Sequence, residues 1–174
     1  MAKIQAVLLG ERIFSNDEEA RTLHEKMRLG EKEKEKILYM NEEALFLVEK
    51  GKMDVLNSSY KKIIGDELLK KLVRIDKRFF VKYSVFKDLR KKGLIVKSGF
   101  KFGSDFRVYE KGVKMGRGHS RWVCFCEADN KSLSWQEFAS KNRVAHSTKK
   151  KLLIAVVDSE NDVSYYESGW KRIA

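Results

Sequence analysis

The sequence has two cysteines, no proline, and no apolar run approaching the roughly 20 residues that a membrane-spanning helix needs. A disulfide framework is excluded, because Cys124 and Cys126 sit two apart in a strand-like stretch and point the same way along it; they read as buried strand residues and not as metal ligands. The N-terminus lacks the apolar region of a signal peptide, so membrane insertion is not expected and a soluble, cytoplasmic protein is. Gly112, Gly116 and Gly118 follow neither a Walker nor a dinucleotide spacing, which leaves nucleotide binding unsupported. His24 and His146 fall in expected helices without a cysteine or carboxylate at ligand spacing and read as exposed polar residues, so no metal and no cofactor is expected. The absence of proline carries no functional reading.

What is present is a core and a charge. Of the 174 residues, 43% are hydrophobic, enough for one ordinary domain or two small ones, which excludes a disordered tail protein. Lysine and arginine number 37 against 25 acids, a net charge of +12 that favours a polyanionic partner, nucleic acid or an acidic membrane. Residues 1–78 hold 17 bases and 15 acids (+2), whereas residues 79–174 hold 20 and 10 (+10). Anion binding is therefore expected in the second part.

Patterning predicts an α+β unit over residues 1–78. Its elements are a strand at Ile4–Leu9, a helix over 16–29 opened by the capping-box spacing of Asn16 and Glu19, and a strand Ile37–Tyr39 entered from the solvated charge alternation of Glu31–Lys36. A helix capped by Asn41 and stopped by Gly51, a short strand Met53–Leu56, and a helix opening at Ser58 or Ser59 follow, the last burying Ile63, Ile64, Leu68, Leu72 and Ile75. In the second unit, 79–174, Phe79–Leu89 is helical and stops at Gly93 before a strand Leu94–Val96. Strands and loops then dominate: an aromatic turn Gly99–Gly103, a strand Phe106–Tyr109, a positive glycine loop, and a strand begun by His119 over Trp122–Cys126. A capping box at Ser134 and Glu137 opens a helix to about His146, and strand Leu152–Val157 turns back to Val163–Tyr166 through the acidic turn Asp158–Asp162.

RNA phosphodiesters can be cleaved without metal if a base takes the 2′-hydroxyl proton, an acid protonates the departing 5′ oxygen, and a cation stabilises the pentavalent phosphate. The basic unit offers Tyr109 at a strand end, His119 after the glycine loop, and the run Lys149–Lys151 before a buried strand. Each has a plain structural alternative: a core aromatic with its hydroxyl at the rim, a surface turn residue, and a solvated helix end favoured by the dipole. Residue type and position alone leave both readings open.

The order of motifs is more specific. Gly99-Phe-Lys-Phe-Gly-Ser-Asp-Phe-Arg-Val-Tyr109, then His119-Ser120, then Arg143-Val-Ala-His-Ser-Thr-Lys-Lys-Lys-Leu-Leu-Ile-Ala-Val-Val-Asp158 resembles the archaeal tRNA-splicing endonuclease family, the tRNA-intron lyases. The likeness covers most of residues 79–174, and Glu43–Gly51 also looks like that family's N-terminal domain. It implies an α+β N-terminal domain followed by a mixed α/β nuclease domain. It places the family's catalytic tyrosine, histidine and lysine on Tyr109, His119 and Lys150, with Lys151 as the alternative lysine. By this resemblance Tyr109 is the general base, His119 the general acid, and Lys150 the group that stabilises the transition state and assists a phenol of ordinary pKa near 10 to act as base. The products are 2′,3′-cyclic phosphate and 5′-hydroxyl ends, and the substrate is intron-containing precursor tRNA recognised at a bulge-helix-bulge.

Arg143 falls on the family's base-clamping arginine, no second clamping residue being assigned; its plain alternative is a helix-surface arginine in an ion pair. Asp158, Glu160 and Asp162 fall on a loop that in the family enters a basic pocket of an opposing subunit, the alternative being a polar hairpin turn. A homotetramer, or a heterotetramer with a second splicing-endonuclease subunit, is implied, since an intron has two ends. Three rivals stand beside this reading. A metal-dependent nuclease finds no Glu-x-Lys, and Asp129-Asn-Lys131 sits in an expected turn. A non-catalytic RNA-binding subunit of such a complex is expected to lack part of the trio, and a general RNA-binding module binds with steep salt dependence but does not cut.

Overall fold

The computed structural model describes residues 2–113 and 118–173, so Gly116 and the centre of the expected glycine loop lie outside the described residues. The chain divides into two compact units, Met1–Phe80 and Val81–Ala174.

In the first unit β1 (Ile4–Leu9) pairs antiparallel with β2 (Arg12–Ser15), a strand the hydropathy reading did not anticipate. A hairpin of β3 (Glu31–Glu33) and β4 (Lys36–Tyr39) extends the sheet beyond β2, and β5 (Met53–Leu56) pairs parallel with β1, giving the order β3-β4-β2-β1-β5. The Glu31–Lys36 run is exposed as expected, yet its first residues are themselves a strand. Alternation assigns the faces: Ile4, Ala6 and Leu8, with Ile13, Ile37, Met53 and Val55 on neighbouring strands, are buried.

Local hydrogen bonds move the helix starts away from their expected places. Asn16 does not cap; α1 (Glu18–Met27) begins after Asp17, whose carboxylate instead accepts from the Gln5 amide at 2.7 Å. The helix ends at Arg28, left-handed at φ 59°, before reaching Gly30. Asn41 is the first residue of α2 (Asn41–Glu49), not its cap, and the Glu43 carboxylate accepts from the Met40 amide at 3.0 Å. No helix opens at Ser58 or Ser59, because the Asn57 side-chain oxygen accepts from the Ser59 and Lys61 amides at 2.9 and 3.0 Å and bends the chain into a turn. Helix α3 (Gly65–Ile75) therefore starts later; Ile63, Leu68 and Leu72 are buried as expected, but Ile75 is half-buried and Ile64 at the helix entrance is 73% exposed.

The second unit follows from α4 (Phe79–Lys91), which buries Val85, Phe86 and Leu89 and is turned by Gly93, at φ +83°, into β6 (Ile95–Ser98). With β7 (Phe106–Tyr109), β8 (Trp122–Ala128), β9 (Lys151–Val157) and β10 (Val163–Ser168) it forms a sheet of order β10-β9-β8-β7-β6. Only β8 and β9 are parallel, and parallel neighbours need a crossover, here α5 (Trp135–Ser147). Its capping box is present: Ser134 Oγ accepts from the Glu137 amide at 3.2 Å and the Glu137 carboxylate accepts from the Ser134 amide at 2.9 Å. His119 stands before β8 and is not part of it. Cys124 and Cys126 are thiols not joined in a disulfide, buried on one face of β8. The α+β unit followed by a mixed α/β unit agrees with the fold expected from sequence. Among the described residues no helix is long and apolar enough to cross a membrane, and no group of three or more His, Cys, Asp and Glu side chains is arranged to hold a metal.

A polar link ties β10 to α4. The Tyr165 hydroxyl donates to Asp88 Oδ2 at 2.6 Å, and Lys92 Nζ donates to Asp88 Oδ1 at 2.6 Å. Partial burial pushes the Asp88 carboxyl up, but the bonds from Lys92 and Tyr165 outweigh it and hold it below the usual carboxylate range. A depressed carboxyl contributes stability above its unfolded value, near 4, and loses it as pH falls through the folded value. Tyr165→Phe is expected to cost about 1.5–3 kcal/mol at pH 7 and progressively less below about pH 4. Denaturant unfolding of the two proteins at both pH values checks this; an equal cost at each excludes the charged bond as its source.

Candidate active site

Strand register gathers the candidate residues at one end of the second sheet. Val108 pairs with Trp122, and Trp122 pairs in turn with Lys151, so the C-terminal end of β7 meets the N-terminal ends of β8 and β9. The Arg121 amide donates to the Val108 carbonyl at 2.9 Å and the Lys151 amide to the Arg121 carbonyl at 2.9 Å, closing the three strand ends together. Tyr109 is one residue beyond Val108, His119 two before Arg121, and Lys150 one before Lys151. Tyr109 is only 7% exposed, so most of its ring belongs to the core, whereas His119 is exposed. The Ser120 hydroxyl beside His119 is buried and has no hydrogen-bond partner among the described residues.

The same register separates the lysines. Arg107 pairs with Val123 and Val123 with Leu152; strand alternation therefore puts Tyr109, Arg107, Val123 and Leu152 on the face packed against Ala145 of α5. Lys150, two before Leu152, is on that side: its Nζ lies 5.4 Å from the centroid of Phe102, a residue packed on the same cluster. Lys151 is on the opposite face with Trp122, where it pairs with Glu167 at 3.3 Å while the Trp122 indole donates to the same carboxylate at 2.6 Å. Local backbone geometry fixes Lys150. Helix α5 ends in a Schellman motif in which the Lys149 amide donates to the His146 carbonyl at 3.0 Å and the Lys150 amide to the Ala145 carbonyl at 2.8 Å. Lys149 takes the left-handed place usual for glycine, at φ 55°. Burial, and then the charge of Arg107, push the Lys150 ammonium below the usual lysine range.

Beside Lys150 opens a cleft of about 520 Å³ whose cations are Arg121, Lys149, Lys150, Lys151 and Lys171. His146 and Trp170 also line it, with ring centroids 4.6 Å apart. The reading of His146 as no more than an exposed polar residue is thus incomplete: it is exposed, but into this cleft. Arg121, Trp170 and Lys171 were not singled out from sequence. The signal that points to them is an aromatic interleaved with bases in Gly169-Trp-Lys-Arg172, a composition suited to stacking on bases and neutralising phosphates. Ser168 anchors that segment by donating to the Asn142 side-chain oxygen at 3.1 Å.

Arg143 is exposed on α5 and, among the described residues, makes no ion pair, unlike the plain alternative considered for it. In the acidic turn Asp158 is used internally, its carboxylate accepting from the Glu160 and Asp162 amides at 2.9 Å each, whereas the Glu160 and Asp162 side chains are exposed. The trio and the cations together suit acid–base chemistry on a phosphodiester.

Comparison with known proteins gives the family. Residues 79–165 match the family described as tRNA intron endonuclease, catalytic C-terminal domain, and residues 4–69 match tRNA intron endonuclease, N-terminal domain. The tRNA-splicing endonuclease of Thermococcus gammatolerans is 39% identical over 166 residues, covering 95% of this chain and 96% of the relative. The proteins of that name from Nanoarchaeum equitans and Methanothermobacter thermautotrophicus are 41% and 37% identical, over 75% and 88% of this chain and 86% and 88% of their own lengths. With both domains matched and relatives aligned along nearly their whole length, the chain belongs to the tRNA intron endonuclease family.

Proposed function

We propose that this chain is a tRNA-splicing endonuclease that excises introns from precursor tRNA without a metal ion, leaving 2′,3′-cyclic phosphate and 5′-hydroxyl ends. The observation that carries the reading is the gathering of Tyr109, His119 and Lys150 at one sheet end beside a cationic cleft. Tyr109 takes the 2′-hydroxyl proton; the 2′ oxygen attacks phosphorus, the P–O5′ bond breaks, and His119 delivers a proton to the departing oxygen. Lys150 neutralises the charge that grows on the phosphate. Its partial burial makes that attraction stronger than it is in water.

Recognition on this reading centres on a bulge-helix-bulge, whose unpaired bases can be splayed out and stacked. The Arg143 guanidinium offers one plane and Trp170, 55% exposed in the cleft, an aromatic one. Two junctions require two sites, hence a tetramer of this chain alone or with a second subunit, working in the cytoplasm. Exposed acids in the most basic part of the chain fit a cationic surface on a neighbouring subunit better than they fit RNA. Glu160→Gln with Asp162→Asn, which spares the internal bonds of Asp158, is expected to shift sedimentation toward smaller species and to lower cleavage in parallel; an unchanged distribution removes the turn from the interface.

The purified chain is expected to release intron and both exon halves from an intron-containing precursor in EDTA. Metal-dependent cutting overturns the mechanism. Binding without cutting, alone and with candidate partner subunits, replaces it with the non-catalytic RNA-binding reading, against which the filled trio stands.

A further inference from the structure

We propose that Phe102 is a positioning residue for Lys150, its ring holding the lysine cation at the sheet end where the scissile phosphate is expected; this rests on the assignment of Lys150 as the charge-stabilising group. The Lys150 Nζ and the Arg107 guanidinium carbon each lie 5.4 Å from the Phe102 ring centroid, so one ring serves two neighbouring cations. Apart from the ring, the Lys150 ammonium bonds the Thr148 carbonyl at 3.2 Å and meets no carboxylate among the described residues. Lys151, by contrast, is paired with Glu167.

An aromatic ring suits this place for an electrostatic reason. Its quadrupole attracts an ammonium without adding net negative charge, so it holds the cation and leaves that cation's charge available to an anion. A carboxylate there would neutralise Lys150 and repel the phosphate. The ring also offsets what acts against the ammonium, since burial and the Arg107 charge both disfavour the protonated lysine.

The ring is fixed in place from several directions. Phe102 closes a 3-10 turn, its amide donating to the Gly99 carbonyl at 2.8 Å. The Gly99 amide donates to the Asp105 carbonyl at 3.1 Å, and Asp105 is bound to β8 through the Cys124 carbonyl at 3.1 Å and the Cys126 amide at 2.8 Å. At Gly99 a Cβ would lie 2.6 Å from the Ser104 carbonyl oxygen and 2.8 Å from the Phe106 nitrogen, so the turn requires glycine. Arg107 is held by its Nε donating to the Ser98 carbonyl at 2.8 Å. The contrast with Phe100, 87% exposed in the same turn, separates a placed ring from a solvated one.

The test is single-turnover cleavage of an intron-containing precursor tRNA by the full chain and by Phe102→Leu, Phe102→Tyr, Lys150→Ala and the double variant Phe102→Leu with Lys150→Ala, each checked by thermal melting. Phe102→Leu is expected to lower the rate at saturating enzyme about 5- to 30-fold, with the half-saturating concentration changed less than about twofold. Phe102→Tyr, which keeps the ring, recovers most of the rate, and Phe102→Leu has no further effect once Lys150 is gone. If Phe102→Leu melts below the assay temperature, Phe102→Met takes its place. A Phe102→Leu rate equal to that of the unaltered chain, an equal loss with and without Lys150, or a Phe102→Tyr as slow as Phe102→Leu overturns the proposal and leaves the Lys150 assignment standing. A Lys150→Ala variant as fast as the unaltered chain overturns that assignment and the proposal with it.

Discussion

His119→Ala is expected to slow single-turnover cleavage of an intron-containing precursor by about 10²–10⁴-fold, with precursor binding changed by less than about twofold. The reason lies in the leaving group. A ribose 5′ oxygen departs slowly as an alkoxide, so the proton delivered as the P–O5′ bond breaks sets much of the barrier. His119 is exposed at the end of the sheet, just before β8, where it can reach a bound strand without burial of its own. A loss confined to the chemical step is expected, because the Lys149 and Lys171 cations that line the cleft remain available to phosphates. The diagnostic experiment replaces the 5′ oxygen at one junction with sulfur, a leaving group that needs no proton. The altered substrate is expected to be cut by His119→Ala at a rate near that of the unaltered chain; a persisting defect would assign His119 a role other than general acid.

Lys150→Ala and Lys151→Ala are expected to differ by at least tenfold, although the residues are adjacent. Removing a preorganised charge from a growing transition-state charge typically costs about 10²–10³-fold, and that loss is expected at Lys150. At Lys151 it is expected to stay under about tenfold, since its ammonium is engaged by Glu167 on the face of the sheet away from Tyr109. Lys150→Arg is expected to recover only part of the rate, because a larger guanidinium at this place meets the Arg107 guanidinium already over the same ring and does not present the compact charge of an ammonium. Parallel rate measurements at saturating enzyme decide the matter: a larger loss at Lys151 reverses the assignment.

The contrast between these neighbours shows what a linear sequence can and cannot carry. Three consecutive lysines before an apolar strand look equivalent along the chain, and the difference arises only from register. The pairing of Trp122 with Lys151 turns one lysine to each face, and that pairing depends on α5 crossing between two parallel strands. Non-local geometry of this kind leaves no local pattern. The strands themselves were legible where alternation was strong, as in Phe106–Tyr109, and α5 was legible because its capping box is a local signal that the structure satisfies.

Misplaced helix starts have the opposite cause. The Asn57 side-chain oxygen takes the Ser59 and Lys61 amides for a turn, and the Asp17 carboxylate, instead of capping α1, accepts from the Gln5 amide of β1. Phe102 and Lys150 lie 48 positions apart, and no periodicity joins them. Trp170 and Lys171 sit in an irregular segment after β10, where hydropathy has no period to follow. His146 was read by itself as a helix-surface histidine; its place beside Trp170 depends on Ser168 being tied to Asn142 across the fold.

The most direct test of a metal-free transesterification is the chemical identity of the ends it leaves. A precursor labelled at both junctions, cleaved in EDTA and digested for end-group analysis, is expected to yield 2′,3′-cyclic phosphate on the upstream fragment and 5′-hydroxyl on the downstream one at each junction. Fragments ending in 3′-hydroxyl and 5′-phosphate, or cleavage that appears only when a divalent cation is restored, would contradict the roles given to Tyr109, His119 and Lys150.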